Sequence, residues 1–142
     1  MAYRCGTPVK AQAPIGYYRC FGWRAEKFRL DGVAFFAWSY LVYRINGKII
    51  TNRPWEAFRE GIEDNQYMRK LHELAEKCRK AGFAKKADSA EKSLAKCVDE
   101  LLGRNYHPAD SPEVSELLYT KRREVAGEIL RLKGLLRRRG KR

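Results

Sequence analysis

Two pairs of adjacent acidic residues, Glu63-Asp64 and Asp99-Glu100, are the first candidates for chemistry in this sequence. Paired carboxylates can act as general acid and general base when both of them reach the same substrate. Both pairs fall in segments that the sequence predicts to be helical, and neighbouring residues on a helix do not face each other. We therefore predict a solvated or helix-pairing role for these acids, and no catalytic residue in the chain.

Cysteine and histidine are too sparse to indicate a metal centre. The chain has four cysteines and two histidines, and no two cysteines have the CxxC spacing of zinc sites: Cys5, Cys20, Cys78, Cys97, His72 and His107. We predict no metal site and no cofactor. Cys78 and Cys97 fall at apolar helix positions, where a free cysteine behaves as a small hydrophobic residue. Free thiols and a reducing compartment are the expectation.

The sequence is strongly basic, with 30 Lys and Arg residues against 17 Asp and Glu residues and a net charge of +13. Its last 22 residues alone hold ten basic residues and two acidic ones. Such a tail can contact phosphates, but a solvated helix end, where cations suit the helix dipole, is the alternative. We predict weak, sequence-independent polyanion contact by the tail.

The first half of the sequence predicts a helix followed by a buried strand. Residues 1–16 are typical of a strand end and a loop, and residues 17–30 have apolar residues at helical spacing. Asp31-Gly32 then breaks the chain before the segment Gly32–Tyr40, whose continuous apolar run is typical of a strand covered on both faces. Such a strand needs parallel neighbours. The chain offers at most one, near residues 3–5, which is the first indication of a truncated sheet.

The next residues predict a hairpin and then three helices. Asn46-Gly47 is a tight-turn signal that would fold residues 49–50 back on residues 41–45. A long helix should run from about Pro54 to residue 81, and a second should begin with a capping box at Asp88 and Glu91. Ser111 should cap a third helix. No apolar run approaches the roughly 20 residues of a membrane helix, so no membrane partner is predicted.

Two segments together carry a family resemblance: YYRCFGWRAEKFRLDGVAFFAWSY at residues 17–40 and TNRPWEAFREGIEDNQYMRKL at residues 51–71. The pairing resembles the C-terminal end of the catalytic barrel in glycoside hydrolase family 123. In that family a helix with a Tyr-Arg start leads through a DG turn into the last strand, and a motif like WEAWREGIED opens the last helix. Pro54 departs from the pattern, which usually has Arg there, and Asn65 stands where an aromatic residue is usual.

The resemblance implies a mostly α chain with one or two short strands, the C-terminal remnant of a (β/α)8 barrel plus a helical tail. Residues 1–82 would hold the last strand and helices of the barrel, and residues 83–142 the tail. Family members are retaining β-N-acetylgalactosaminidases or relatives, and they use an Asp-Glu pair at the end of an earlier strand to let the substrate's own acetamido group attack. That pair is not among these residues.

What remains near the expected barrel mouth is a set of candidate carbohydrate-binding residues: Trp38, Arg19, Tyr40 and Tyr3. Packing in the barrel core or its loops is the alternative for the aromatic ones. Gly61 inside a helix predicts a close approach of another backbone. Arg59 and Asp64 are predicted to tie their helix to adjacent loops.

The resemblance thus predicts a fragment of a glycoside-hydrolase-like protein that is inactive alone and whose full-length parent binds carbohydrate. A small basic helical module that binds nucleic acid or a protein partner is the alternative. Exposed apolar surface, left by missing strands, would favour the fragment.

Overall fold

The computed structural model describes residues 15–31, 42–103 and 111–139. A π-helical turn, Ile15–Arg19, leads directly into the first α-helix. The elements that follow in chain order are α1 (Cys20–Phe28), β1 (Val42–Ile45), β2 (Lys48–Thr51), α2 (Arg53–Lys80), α3 (Ala84–Leu102) and α4 (Pro112–Arg139). The prediction of a mostly α chain with one or two short strands is confirmed for the described residues.

The three long helices form a bundle in which α3 runs antiparallel to both of its neighbours. Contacts between Arg79 and Asp88 and between Arg131 and the backbone of Lys86 lie at one end of this bundle. The shared core takes side chains from all four helices, among them Trp23, Met68, Leu71, Leu94, Leu101, Leu118 and Leu132. Both predicted regions, residues 1–82 and 83–142, contribute to that core.

The starts of α2 and α4 lie within one residue of those predicted from Pro54 and Ser111. The side chain of Asn52 accepts a hydrogen bond from the amide of Trp55 at 3.0 Å, which starts α2 one residue before the predicted Pro54. Ser111 accepts from the amide of Val114 at 3.3 Å and caps α4, as predicted. A side-chain acceptor at this position satisfies an amide that the helix itself cannot pair.

The capping box predicted at Asp88 and Glu91 is wrong. Helix α3 begins at Ala84, one turn earlier, with Phe83 at its N-cap and no side-chain cap. Phe83 packs against the core, so the earlier start lets the first turn of α3 take part in apolar packing. The two carboxylates bind the guanidinium of Arg79 on α2 instead.

The predicted hairpin is confirmed. Strands β1 and β2 pair antiparallel across Asn46-Gly47, with Tyr43 opposite Ile50. Both turn residues have positive φ, 49° and 76°, which is the backbone that Asn-Gly favours in tight hairpins.

Other sequence predictions fall outside the residues that the structure describes. These are residues 1–14 of the predicted strand end and loop and the strand Gly32–Tyr40 with its packing against α2. The loop predicted to continue through residue 16 is wrong there, because the π-helical turn already begins at Ile15. Within the described ranges, the structure contains no helix that is both long and apolar enough to cross a membrane.

Candidate functional site

The two segments that carry the family resemblance meet where α1 crosses α2. A Cβ atom built on Gly22 would lie 2.1 Å from the carbonyl oxygen of Gly61, and one built on Gly61 would lie 2.5 Å from the carbonyl oxygen of Arg19. Only glycine allows two helices to approach this closely. The close backbone approach predicted for Gly61 is therefore confirmed. Asn65 adds a hydrogen bond at the same crossing, donated to the carbonyl oxygen of Gly22 at 3.2 Å.

A buried carboxylate, Asp64, joins three helical segments beside this crossing. Asp64 is 1% exposed, and its Oδ2 accepts hydrogen bonds from Arg19 Nε at 3.1 Å and Trp23 Nε1 at 2.9 Å. Its other oxygen, Oδ1, accepts from Arg122 of α4. The expectation that Arg59 and Asp64 tie their helix to adjacent loops is wrong, because the partners of Asp64 lie on helices and Arg59 pairs with Glu56 and Glu63 of α2 itself. We call Arg19, Trp23, Asp64 and Arg122 the Asp64 cluster.

Arg19, a predicted carbohydrate-binding residue, is 2% exposed within this cluster. Its Nη1 lies 2.7 Å from Glu60 Oε2, and its guanidinium stacks over the ring of Tyr119 at 4.2 Å. Its Nη2 is buried and has no hydrogen-bond acceptor within the described part of the chain. A sugar could reach Arg19 only if these ion pairs opened, so its substrate role stays a prediction. Trp38, Tyr40 and Tyr3 lie outside the described residues.

The adjacent acidic pairs are held in ion pairs rather than directed into a common cleft. Glu63 binds Arg59 on the surface of α2, while Asp64 beside it is buried. Asp99 lies 3.0 Å from Lys27 of α1, and Glu100 binds Lys121 of α4. This is the helix-pairing role predicted from their positions.

An open groove of about 580 Å³ lies between the end of α1 and the middle of α2 and α3. His72 lines it and bridges two helices, with Nε2 2.8 Å from Glu26 Oε1 of α1 and Nδ1 3.1 Å from Glu91 Oε1 of α3. The hydrogen bond with Glu26 raises the pKa of His72 to about 9, with a further contribution from Glu91. The imidazole is therefore a cation at neutral pH and acts as a bridge between helices.

A measurable consequence is a pH-dependent stability. The raised pKa means that the folded chain holds a proton on His72 that the unfolded chain loses near pH 6.5. The resulting stabilisation should be present in full below about pH 6.5 and lost as the pH rises to about 9. An NMR titration of the imidazole protons should give one histidine a pKa near 9, and that resonance should vanish in His72→Gln. A pKa near 6.5 for His72 would contradict the bridge.

The cysteines within the described ranges are free and buried: Cys20, Cys78 and Cys97. Burial raises the pKa of the Cys97 thiol to about 12, and the neighbouring Glu124 carboxylate, 3.1 Å from its sulfur, adds to the rise. The core position predicted for Cys78 and Cys97 is confirmed. Across the ranges that the structure describes, no group of three His, Cys, Asp or Glu residues is placed to hold a metal ion.

Comparisons with protein-family models, with curated proteins and with solved structures gave no match. The glycoside hydrolase resemblance therefore rests on the residues of the two segments alone. Sequence reasoning missed the partners of Asp64 and the bridge at His72. The one signal for the former was an acidic residue within the apolar stripe of a helix, between Gly61 and Met68.

Proposed function

We propose that this chain is the C-terminal part of a glycoside-hydrolase-like barrel protein, whose catalytic carboxylates lie outside the chain. In this proposal the bundle supports the end of the barrel and performs no chemistry. The Gly22–Gly61 crossing and the Asp64 cluster support it, because they join the two segments of the resemblance into a single packed unit. The motif residues thus have a structural reason to occur together.

The hairpin is the observation that carries the proposal. Within the described ranges its two strands pair with each other and with no further strand, and four large apolar side chains are exposed on it: Tyr43, Ile45, Ile49 and Ile50. The cross-strand register places Tyr43, Ile45 and Ile50 on one face and Ile49 on the other. A two-stranded sheet is marginal by itself, and contiguous exposed apolar surface marks a missing neighbour. Further strands of a barrel would supply that neighbour, whereas a self-sufficient nucleic-acid module would not need one.

The proposal assigns substrate contact to the full-length parent, where carbohydrate would stack against aromatic residues such as Trp38 and Tyr40. Glu63, Asp99 and Glu100 of the two adjacent acidic pairs are held in ion pairs, and Asp64 is closed to solvent. The general acid/base and the residue that orients the acetamido group must then come from elsewhere in the parent.

We expect the purified chain to release no detectable aryl alcohol from an aryl β-N-acetylgalactosaminide. Incubation at high protein concentration over a wide pH range, with absorbance detection, would measure this. The comparison variants are Asp99→Asn and Glu100→Gln. Each removes one carboxylate of the exposed acidic pair and should keep the fold. Turnover by the unsubstituted 142-residue chain that either variant abolishes would contradict the proposal.

The DNA preceding the codon for Met1 provides a second and independent test. The proposal expects earlier barrel strands to be encoded there, one of them ending in an adjacent Asp-Glu pair. Upstream DNA that encodes no such strands would overturn the proposal, whatever the result of the activity assay.

A further inference from the structure

Basic residues from α2, α3 and α4 lie together at one end of the helical bundle. Helix α2 ends there and α3 begins there. Helix α4 passes them at Arg131, whose Nη2 donates to the carbonyl oxygen of Lys86 at 3.2 Å, and ends eight residues later at Arg139. The sulfur of Cys78 lies 3.8 Å from the carbonyl oxygen of Leu132 at the same level. We call residues 77–88 and 131–139 the basic end.

The basic end is dense in cations that have no carboxylate partner. Residues 77–88 contain five basic residues and one acidic residue, and residues 131–139 contain five basic residues and no acidic one. Lys77, Arg79 and Arg131 are held by carboxylates of their own or neighbouring helices. The remaining seven are exposed and have no ion pair within the described part of the chain: Lys80, Lys85, Lys86, Lys133, Arg137, Arg138 and Arg139.

The opposite end of the bundle has its charges paired. Residues 56–64 at the start of α2 contain four acidic residues and one basic residue, and residues 111–118 at the start of α4 contain two acidic residues and no basic one. Four arginines hold most of these acids in ion pairs: Arg19, Arg59, Arg122 and Arg123. A polyanion would therefore be attracted to the basic end, where the unpaired cations of the described residues are concentrated.

We propose that the basic end binds the phosphate backbone of double-stranded nucleic acid without reading its bases. Arginine and lysine neutralise phosphates, and arginine does so with two parallel hydrogen bonds. The site offers no exposed aromatic ring in its described residues for the base stacking that single strands require, since Phe83 packs on the core. Stable membrane binding needs an apolar anchor beside the charge. Among the described residues, Leu130 is the one exposed large apolar residue next to the basic end in sequence.

Nucleic-acid binding at the basic end is independent of the glycoside hydrolase proposal. The tail would not act alone, because the α2–α3 turn contributes as many unpaired cations as the last three arginines of α4. Removal of the tail alone should therefore leave a substantial part of the binding in place.

Fluorescence anisotropy with labelled duplex DNA and duplex RNA of several scrambled sequences would test the proposal. If about six of the seven cations neutralise phosphates, the logarithm of the association constant should fall against the logarithm of salt concentration with a slope of about −5. Lys80→Gln/Lys85→Gln/Lys86→Gln should make this slope shallower by about 3, and Arg137→Gln/Arg138→Gln/Arg139→Gln should do the same. DNA and RNA duplexes of all sequences should behave alike.

The control is Arg44→Gln/Lys48→Gln/Arg69→Gln, which removes the same charge from exposed positions away from the basic end. The salt dependence of its association constant should have the same slope as that of the unsubstituted chain. Circular dichroism should show that every variant folds. An equal loss in the control would mean that net charge alone causes the binding, and would overturn the proposal. So would binding to phosphatidylserine vesicles without binding to duplexes, or one preferred sequence that survives ~0.15 M salt.

Discussion

Gly22→Ala is expected to destabilise the folded chain by about 3 kcal/mol, the upper part of the range for overpacked cores. Alanine by itself favours a helix over glycine by about 1 kcal/mol. The added Cβ, however, would lie 2.1 Å from the carbonyl oxygen of Gly61, which is backbone and cannot turn aside. The steric cost exceeds the helix preference, so α1 must move away from α2. Urea denaturation followed by circular dichroism would measure the loss.

Gly127→Ala is the matched control. Gly127 also lies inside a helix, but a Cβ built on it has no atom within 4 Å. Only the helix preference remains there, so this variant should gain about 0.5–1 kcal/mol of stability. A Gly22→Ala variant as stable as the unsubstituted chain would show that the backbones of α1 and α2 are not in contact.

Asp64→Asn is expected to cost about 3–5 kcal/mol, the range for removing one partner of a buried ion pair. The substitution keeps the shape of the side chain but removes the charge that holds Arg19 and Arg122. Arg19, at 2% exposure, cannot turn to solvent, so a cation would stay buried with only Glu60 to balance it. Because small domains have only about 5–15 kcal/mol of stability, the variant should be close to unfolding.

Glu116→Gln removes the same charge from a surface ion pair and provides the comparison. Glu116 and Arg123 are 3.1 Å apart, and both side chains are 72% exposed. The change there should be less than about 0.5 kcal/mol. Equal denaturation midpoints for Asp64→Asn and Glu116→Gln would contradict the buried cluster.

Features set by a few consecutive residues could be predicted from the sequence. Asn46-Gly47 specified a hairpin because both residues accept positive φ, and Ser111 specified the start of α4 because its hydroxyl reaches an unpaired amide. The capping box at Asp88 followed the same logic and was wrong. Apolar packing around Phe83 outweighed a side-chain cap there.

The Asp64 cluster could not be predicted, because its members are far apart in sequence. Asp64 lies 45 residues from Arg19, 41 from Trp23 and 58 from Arg122. Periodicity gives the face of a helix but not the residue opposite it. Residue type alone does not fix that face in α2 either, where the apolar Ile62 is 42% exposed and Met68 is fully buried. Gly61 was predicted correctly to have a close neighbour, but a glycine inside a long helix does not always have one, since a Cβ built on Gly127 of α4 has no atom within 4 Å.

The Asp64 cluster also constrains how this sequence can change over time. Asp64 accepts hydrogen bonds from the other three members, so loss of Asp64 leaves buried donors unpaired, and loss of either arginine leaves the buried carboxylate with one cation fewer. Replacement of the whole set by apolar residues of similar volume is, by contrast, often neutral or stabilising in proteins. A sequence that exchanged the four residues for apolar ones one at a time would pass through unstable variants. Descendants of this sequence should therefore keep Arg19, Trp23, Asp64 and Arg122 together or lose them together. A chimera that takes α1 from a lineage with the cluster and α4 from a lineage that has lost it should fold poorly.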